Sequence, residues 1–128
     1  SNDTRVDKVA MANSGFYTFI DDQVAFPFGT KNMNLSNQRI EWFMRLKGGV
    51  FLSDNNIKKI DRTLIKTRKA KKQGKNRLDR GTNFFNDLTR LGVERNLSFR
   101  WRYQLVPNGI QAHNELNLAV SEFLLEDL

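Results

Sequence analysis

The stretch Gly15-Phe16-Tyr17-Thr18-Phe19-Ile20-Asp21-Asp22-Gln23-Val24-Ala25-Phe26-Pro27-Phe28-Gly29 sets the reading of the whole chain. It holds two runs rich in aromatic and β-branched residues, separated by a short acidic turn, and this pattern predicts a β-hairpin. Val24, Phe26 and Phe28 alternate with Gln23, Ala25 and Pro27, as in a strand with one buried face. Pro27 has no N–H to give to a ladder, so the second strand is placed at an edge or a bulge.

Upstream, residues 1–14 are polar and read as a leader or short edge segment. The chain opens on Ser1-Asn2 without an initiating Met, which suggests a cloning remnant or a piece of something longer. Downstream, Ser36 or Asn37 offers an N-cap for a helix over 37–47 with Ile40, Phe43 and Met44 as its apolar stripe. Val50-Phe51-Leu52 reads as a short apolar bridge. Ser53 or Asp54 then caps a second helix with Ile57, Ile60, Leu64 and Ile65 inward. Thr82 caps a third, with Phe84, Phe85, Leu88 and Leu91 inward and Gly92 past its end. Phe99, Trp101, Tyr103 and Leu105 alternate with Arg100, Arg102 and Gln104, which is the clearest strand pattern in the chain. Asn114 opens a last helix carrying Leu116, Val120, Phe123 and Leu124 on one side. The order predicts one small α+β domain over 15–128, with an antiparallel or mixed sheet and three to four helices packed on it.

The 128 residues are 39% hydrophobic and 11% aromatic, enough for one folded core and too apolar for a disordered tail. Cysteine is absent, which excludes disulfide scaffolds, thiolate metal sites and thiol catalysis. No apolar run approaches the roughly 20 residues that span a bilayer. A soluble protein acting in the cytoplasm is the expectation. Charge is the strongest compositional signal. Of the net +7, residues 58–80 alone carry +9, with eleven basic residues against Asp61 and Asp79. These are Lys58, Lys59, Arg62, Lys66, Arg68, Lys69, Lys71, Lys72, Lys75, Arg77 and Arg80. Such a density attracts polyanions by counterion release, so nucleic acid is the expected partner, with Arg100 and Arg102 adding to the grip. An acidic inhibitor protein is the other partner considered.

The candidates for chemistry are few. His113 is the single histidine, a possible general acid–base for RNA cleavage beside Arg100 or Arg102. Glu115 and Glu122 lie two turns apart on the last helix, and a buried carboxylate there suits a hard divalent cation. Arg39 could clamp a phosphate with its two-pronged donor face.

Gly15-Phe16-Tyr17, the hairpin, the second strand ending in Pro27-Phe28-Gly29-Thr30-Lys31 and Arg39-Ile40 opening a helix together resemble the GIY-YIG nuclease module. The resemblance implies DNA cleavage with one divalent metal such as Mg²⁺. It makes Tyr17 the first-motif tyrosine, Arg39 the phosphate-stabilising arginine and Glu122 the metal ligand, with Glu115 as fallback. The second motif lacks its tyrosine here. The expected function is therefore a small metal-dependent endonuclease, and the catalytic set is Tyr17, Arg39, Glu122 and His113. The alternatives are a metal-independent, toxin-type ribonuclease built on His113, or a non-catalytic RNA- or DNA-binding module in which Trp101 or Tyr103 stacks a base.

Overall fold

The structure is a computed structural model that describes residues 8–54, 60–107 and 112–126. Its centre is a three-stranded sheet of β1 (Lys8–Ala12), β2 (Lys47–Ser53) and β3 (Arg102–Val106) in that spatial order. Both pairings are parallel, with Met11 opposite Val50 and Val50 opposite Tyr103. Four helices accompany it among the described residues: α1 (Asn37–Arg45), α2 (Arg68–Lys71), α3 (Arg77–Glu94) and α4 (Ala112–Leu125). This corrects the expected antiparallel or mixed sheet. The physical reason lies in β2, which is buried from Gly48 to Ser53 on both faces. A central parallel strand covered by helices on each side has no polar alternation, so Val50-Phe51-Leu52 reads as a bare apolar run rather than a strand.

The two layers of core follow from the pleat of β2. Val50 and Leu52 face one side with Tyr17, Ile40, Met44, Phe84, Leu88, Leu91 and Trp101. Phe51 faces the other with Val106, Leu116 and Phe123. Thus α1 and α3 cover one face and α4 the other. Both crossovers, β1 to β2 and β2 to β3, advance in the same direction along the sheet. Connections of one hand then put their helices on one side, and the chain must turn back through α4 to cover the second face.

The expected hairpin over 15–29 is not a pair of strands. Apart from an isolated bridge between Ala25 and Lys31, this segment forms turns and irregular backbone. Its aromatics serve as anchors instead: Tyr17 stacks on Phe84 at 4.7 Å and Phe19 meets the same ring edge-on at 5.5 Å. The backbone of Tyr17 finds its partners in a side chain, since its N–H donates to Gln73 Oε1 (2.9 Å) and its carbonyl accepts from Gln73 Nε2 (2.8 Å). Buried backbone groups must be paired, and one glutamine does here what a neighbouring strand would have done.

The helices after α1 differ from expectation at their starts. Ser36 caps α1 as expected, accepting from the Arg39 N–H at 3.1 Å. No helix spans residues 60–67; Ile60 is 80% exposed and only Leu64 of the expected stripe is buried, while residues 55–59, with Ile57, lie outside the described residues. α3 begins at Arg77 behind an Asn76 cap, not at Thr82, and it continues through Gly92. α4 starts two residues before Asn114. No helix among the described residues is long and apolar enough to cross a membrane.

Candidate functional site

The carboxyl ends of the parallel strands form one rim: Ala12-Asn13-Ser14 after β1, Ser53-Asp54 after β2 and Val106-Pro107 after β3. In open parallel sheets ligands bind outside these ends. The rim is held by a local clasp in which Asn13 Oδ1 accepts from the Ser53 N–H (3.1 Å) and Asn13 Nδ2 donates to Ser53 Oγ (3.2 Å). Directly after the clasp comes Asp54, whose Oδ1 is buried with no hydrogen-bond partner. A buried carboxylate oxygen left unpaired is costly and is an unusual feature in a folded chain. Sequence reasoning gave Asp54 only a capping role. The available signal was an apolar run followed by Ser-Asp, the end of a doubly buried strand.

The sequence-derived residues fall in different places. Tyr17 is buried, 3% exposed, with its hydroxyl beside Ser14. Burial pushes the phenol up, a trend that nearby Ser14 and the Arg77 charge partly offset. Arg39 is exposed on α1, on the same side of the sheet as Tyr17. Both line a cavity of about 500 Å³ between the irregular segment and α1, whose walls include Met11, Phe16, Ile20 and Trp42. Glu122 and Glu115 are exposed on α4, across the sheet from that cavity. Tyr17 and Arg39 therefore come together, and Glu122 does not join them. No group of three or more metal-ligating side chains occurs among the described residues. The backbone of His113 lies in the first turn of α4, and its side chain is outside the described residues.

The basic segment divides into two kinds of residue. Arg62, Lys66, Arg68, Lys69, Lys71, Lys72 and Lys75 are exposed, and Lys58 and Lys59 lie outside the described residues. Arg77 and Arg80 are turned inward as ties. Arg77 donates from Nε to Asp61 Oδ2 (2.7 Å), from Nη1 to the Asn13 carbonyl (2.9 Å) and from Nη2 to Thr63 Oγ1 (3.0 Å). Arg80, 1% exposed, donates to the carbonyls of Gly74 (3.0 Å), Gly15 (2.7 Å) and Ile65 (2.8 Å). Burial and the neighbouring Arg77 push its pKa down from the usual arginine range. Of the expected strand-face cations, Arg100 is exposed. Arg102 pairs with Glu126, which also takes Lys47 at 3.1 Å. The expected stacking platform is also absent: Trp101 is 5% exposed and Tyr103 is part-buried, its hydroxyl 3.0 Å from Thr82 Oγ1.

Asp61 gives this region a pH dependence. Hydrogen bonds from Thr63 and Arg77 lower its pKa from 3.8 to about 2. Because the folded value lies below the unfolded one, the contribution is complete above about pH 4 and is lost as pH falls toward 2. Asp61→Asn is expected to flatten the fall of unfolding free energy over that window. The effect stays within about 1 kcal/mol because the pair is partly solvated. Urea melts at pH 2.5, 4 and 7 check this; parallel pH profiles for the two proteins would contradict it.

No protein-family model matches the chain, and no curated protein matches it. The fold is a parallel sheet with helices on both faces, and solved structures share it closely. One is the crystal structure of LpqC, a poly(3-hydroxybutyrate) depolymerase from Bordetella parapertussis, at TM-score 0.78 and 24% identity, over 91% of this chain and 39% of that one. Another is poly(aspartic acid) hydrolase-1 from Sphingomonas sp. KT-1, at TM-score 0.80 and 24% identity, over 96% of this chain and 46% of that one. The chain thus spans less than half the length of these neighbours. They are polymer hydrolases of other bonds, and with Glu122 placed away from Tyr17 and Arg39 they overturn the expected endonuclease, its toxin-type ribonuclease alternative and the nucleic-acid-binding module.

Proposed function

We propose that the chain contributes the acid and the histidine of a hydrolase acting on acyl bonds, ester or amide. The observation that carries this is the unpaired, buried Oδ1 of Asp54 at the carboxyl end of β2. The adjacent strand, β3, leads within a short connection to His113, the single histidine. Acid before histidine is also the chain order of hydrolases built on parallel sheets, where the nucleophile comes first. In this reading Asp54 accepts from the imidazole Nδ1–H, fixing the tautomer and stabilising the imidazolium. Nε2 takes the proton from the attacking hydroxyl or water and returns it to the leaving group. No serine of this chain stands in a Gly-x-Ser-x-Gly turn, so the proposal covers the acid and the base and assigns no nucleophile. The two neighbours, named for a polyester and a poly(amino acid), support the hydrolase class.

The single histidine makes the test direct. An NMR titration of the intact chain is expected to place the His113 pKa at least about one unit above the free value of ~6.5, because a carboxylate partner favours the imidazolium. Asp54→Asn, nearly isosteric, is expected to return it toward that value with the fold retained. Titration near 6.5 in both proteins would remove the pair and the proposal with it.

A further inference from the structure

We propose that the cavity between the irregular segment and α1 is a binding site for a monocarboxylate with an apolar tail, its carboxylate held by Arg39. At about 500 Å³ it has the size of a small-molecule site. Its walls are apolar and aromatic, through Met11, Phe16, Ile20, Trp42 and Phe43, and extend outward to Met33 and Leu35, which are 41% and 37% exposed. Ser14, Thr18 and Thr30 add hydroxyls to the lining, and Arg39 adds a charge. Arg39 is the charged residue of the lining, and its guanidinium makes no ion pair or hydrogen bond among the described residues. Tyr17, also in the lining, is 3% exposed, and its hydroxyl lies toward α3, where a Cβ on Gly81 would come within 2.8 Å of it. One guanidinium presents a fork of parallel donors, which matches the two oxygens of a carboxylate. A phosphate, with its higher charge and third oxygen, would call for a second cation, and the lining holds none. The apolar walls then require the rest of the ligand to be hydrocarbon.

This inference does not use Asp54 or His113, and Asp54 is not among the residues that line the cavity, so its failure and that of the hydrolase proposal are separable. The probe is decanoate below its micellar concentration, followed by isothermal calorimetry and by the fluorescence of Trp42 in the cavity wall. Saturable one-to-one binding is expected, with Asp54→Asn binding decanoate as the parent does. Arg39→Ala, at an exposed helix position, is expected to weaken decanoate at least about tenfold, the scale of a lost charge-assisted pair. Decanol, which has the tail without the charge, should bind Arg39→Ala and the parent chain alike. Absence of saturable decanoate binding overturns the proposal. So does equal weakening of both probes, or decanol binding the parent as tightly as decanoate.

Discussion

Arg80→Met is expected to cost at least about 3 kcal/mol of unfolding free energy, because the substitution keeps the aliphatic stem and removes only the donors, and buried acceptors left unpaired cost about 1–3 kcal/mol each. The three carbonyls it would orphan belong to Gly15, Ile65 and Gly74, three separate pieces of irregular backbone that meet at the start of α3. That loss is a large share of the roughly 5–15 kcal/mol by which domains are stable. Lys69→Met, eleven residues earlier in the same basic segment and exposed, is expected to change stability by no more than about 0.5 kcal/mol. Urea unfolding of the two variants side by side checks both values. A small effect at Arg80 would mean that water replaces the guanidinium, which its 1% exposure argues against.

Gly48→Ala is expected to be nearly as damaging, about 3 kcal/mol, at the upper end of the overpacking range. A Cβ at this position would stand 2.3 Å from Cδ2 and 2.5 Å from Cε2 and Cε3 of Trp101. The indole cannot retreat freely, since its Nε1 donates to the Phe43 carbonyl at 2.9 Å and its ring lies 4.9 Å from Phe43 and 6.3 Å from Phe84. The strand cannot retreat either, because Gly48 is in the middle layer, paired to Val9. Shrinking the indole should relieve the clash. In the double variant Gly48→Ala/Trp101→Leu the two costs are expected to fall short of their sum by more than about 1 kcal/mol. Additive costs would show that the strain lies elsewhere.

Where one face of an element meets water, the sequence was readable. The Ser36 cap and the Ile40 and Met44 stripe of α1 and the inward Phe84, Leu88 and Leu91 of α3 show a period that burial on one side imposes, whereas β3 is only Arg102–Val106, with Leu105 exposed and Val106 buried on the Phe51 side. Where an element is covered on both sides, the period vanishes. β2 and the short Lys8–Ala12 strand carry no alternation, and without them the sheet could not be recognised as parallel. The aromatic run over 15–29 misled for the opposite reason: its composition suits a strand, but the rings of Tyr17 and Phe19 pack on Phe84 of α3, Phe16 packs on Phe28, Phe26 is exposed, and Gln73 meets the Tyr17 backbone. Among the charges, nothing local separates Arg80 from Lys69. Only the distant carbonyls that converge on one of them do so. Asp54 was hidden in the same way, since its meaning depends on its being at the end of a strand.

The opposite rim of the sheet has its own logic. Lys8, Lys47 and Arg102 open β1, β2 and β3 in turn, and all three reach the last turn of α4: Lys8 donates to the Phe123 and Glu126 carbonyls, while Lys47 and Arg102 meet the Glu126 carboxylate. The fastening of the back helix and the unpaired acid of Asp54 are thus a full strand length apart. Substitutions that tighten the clasp of Lys8, Lys47 and Arg102 on α4 can therefore be made without touching the Asp54 rim.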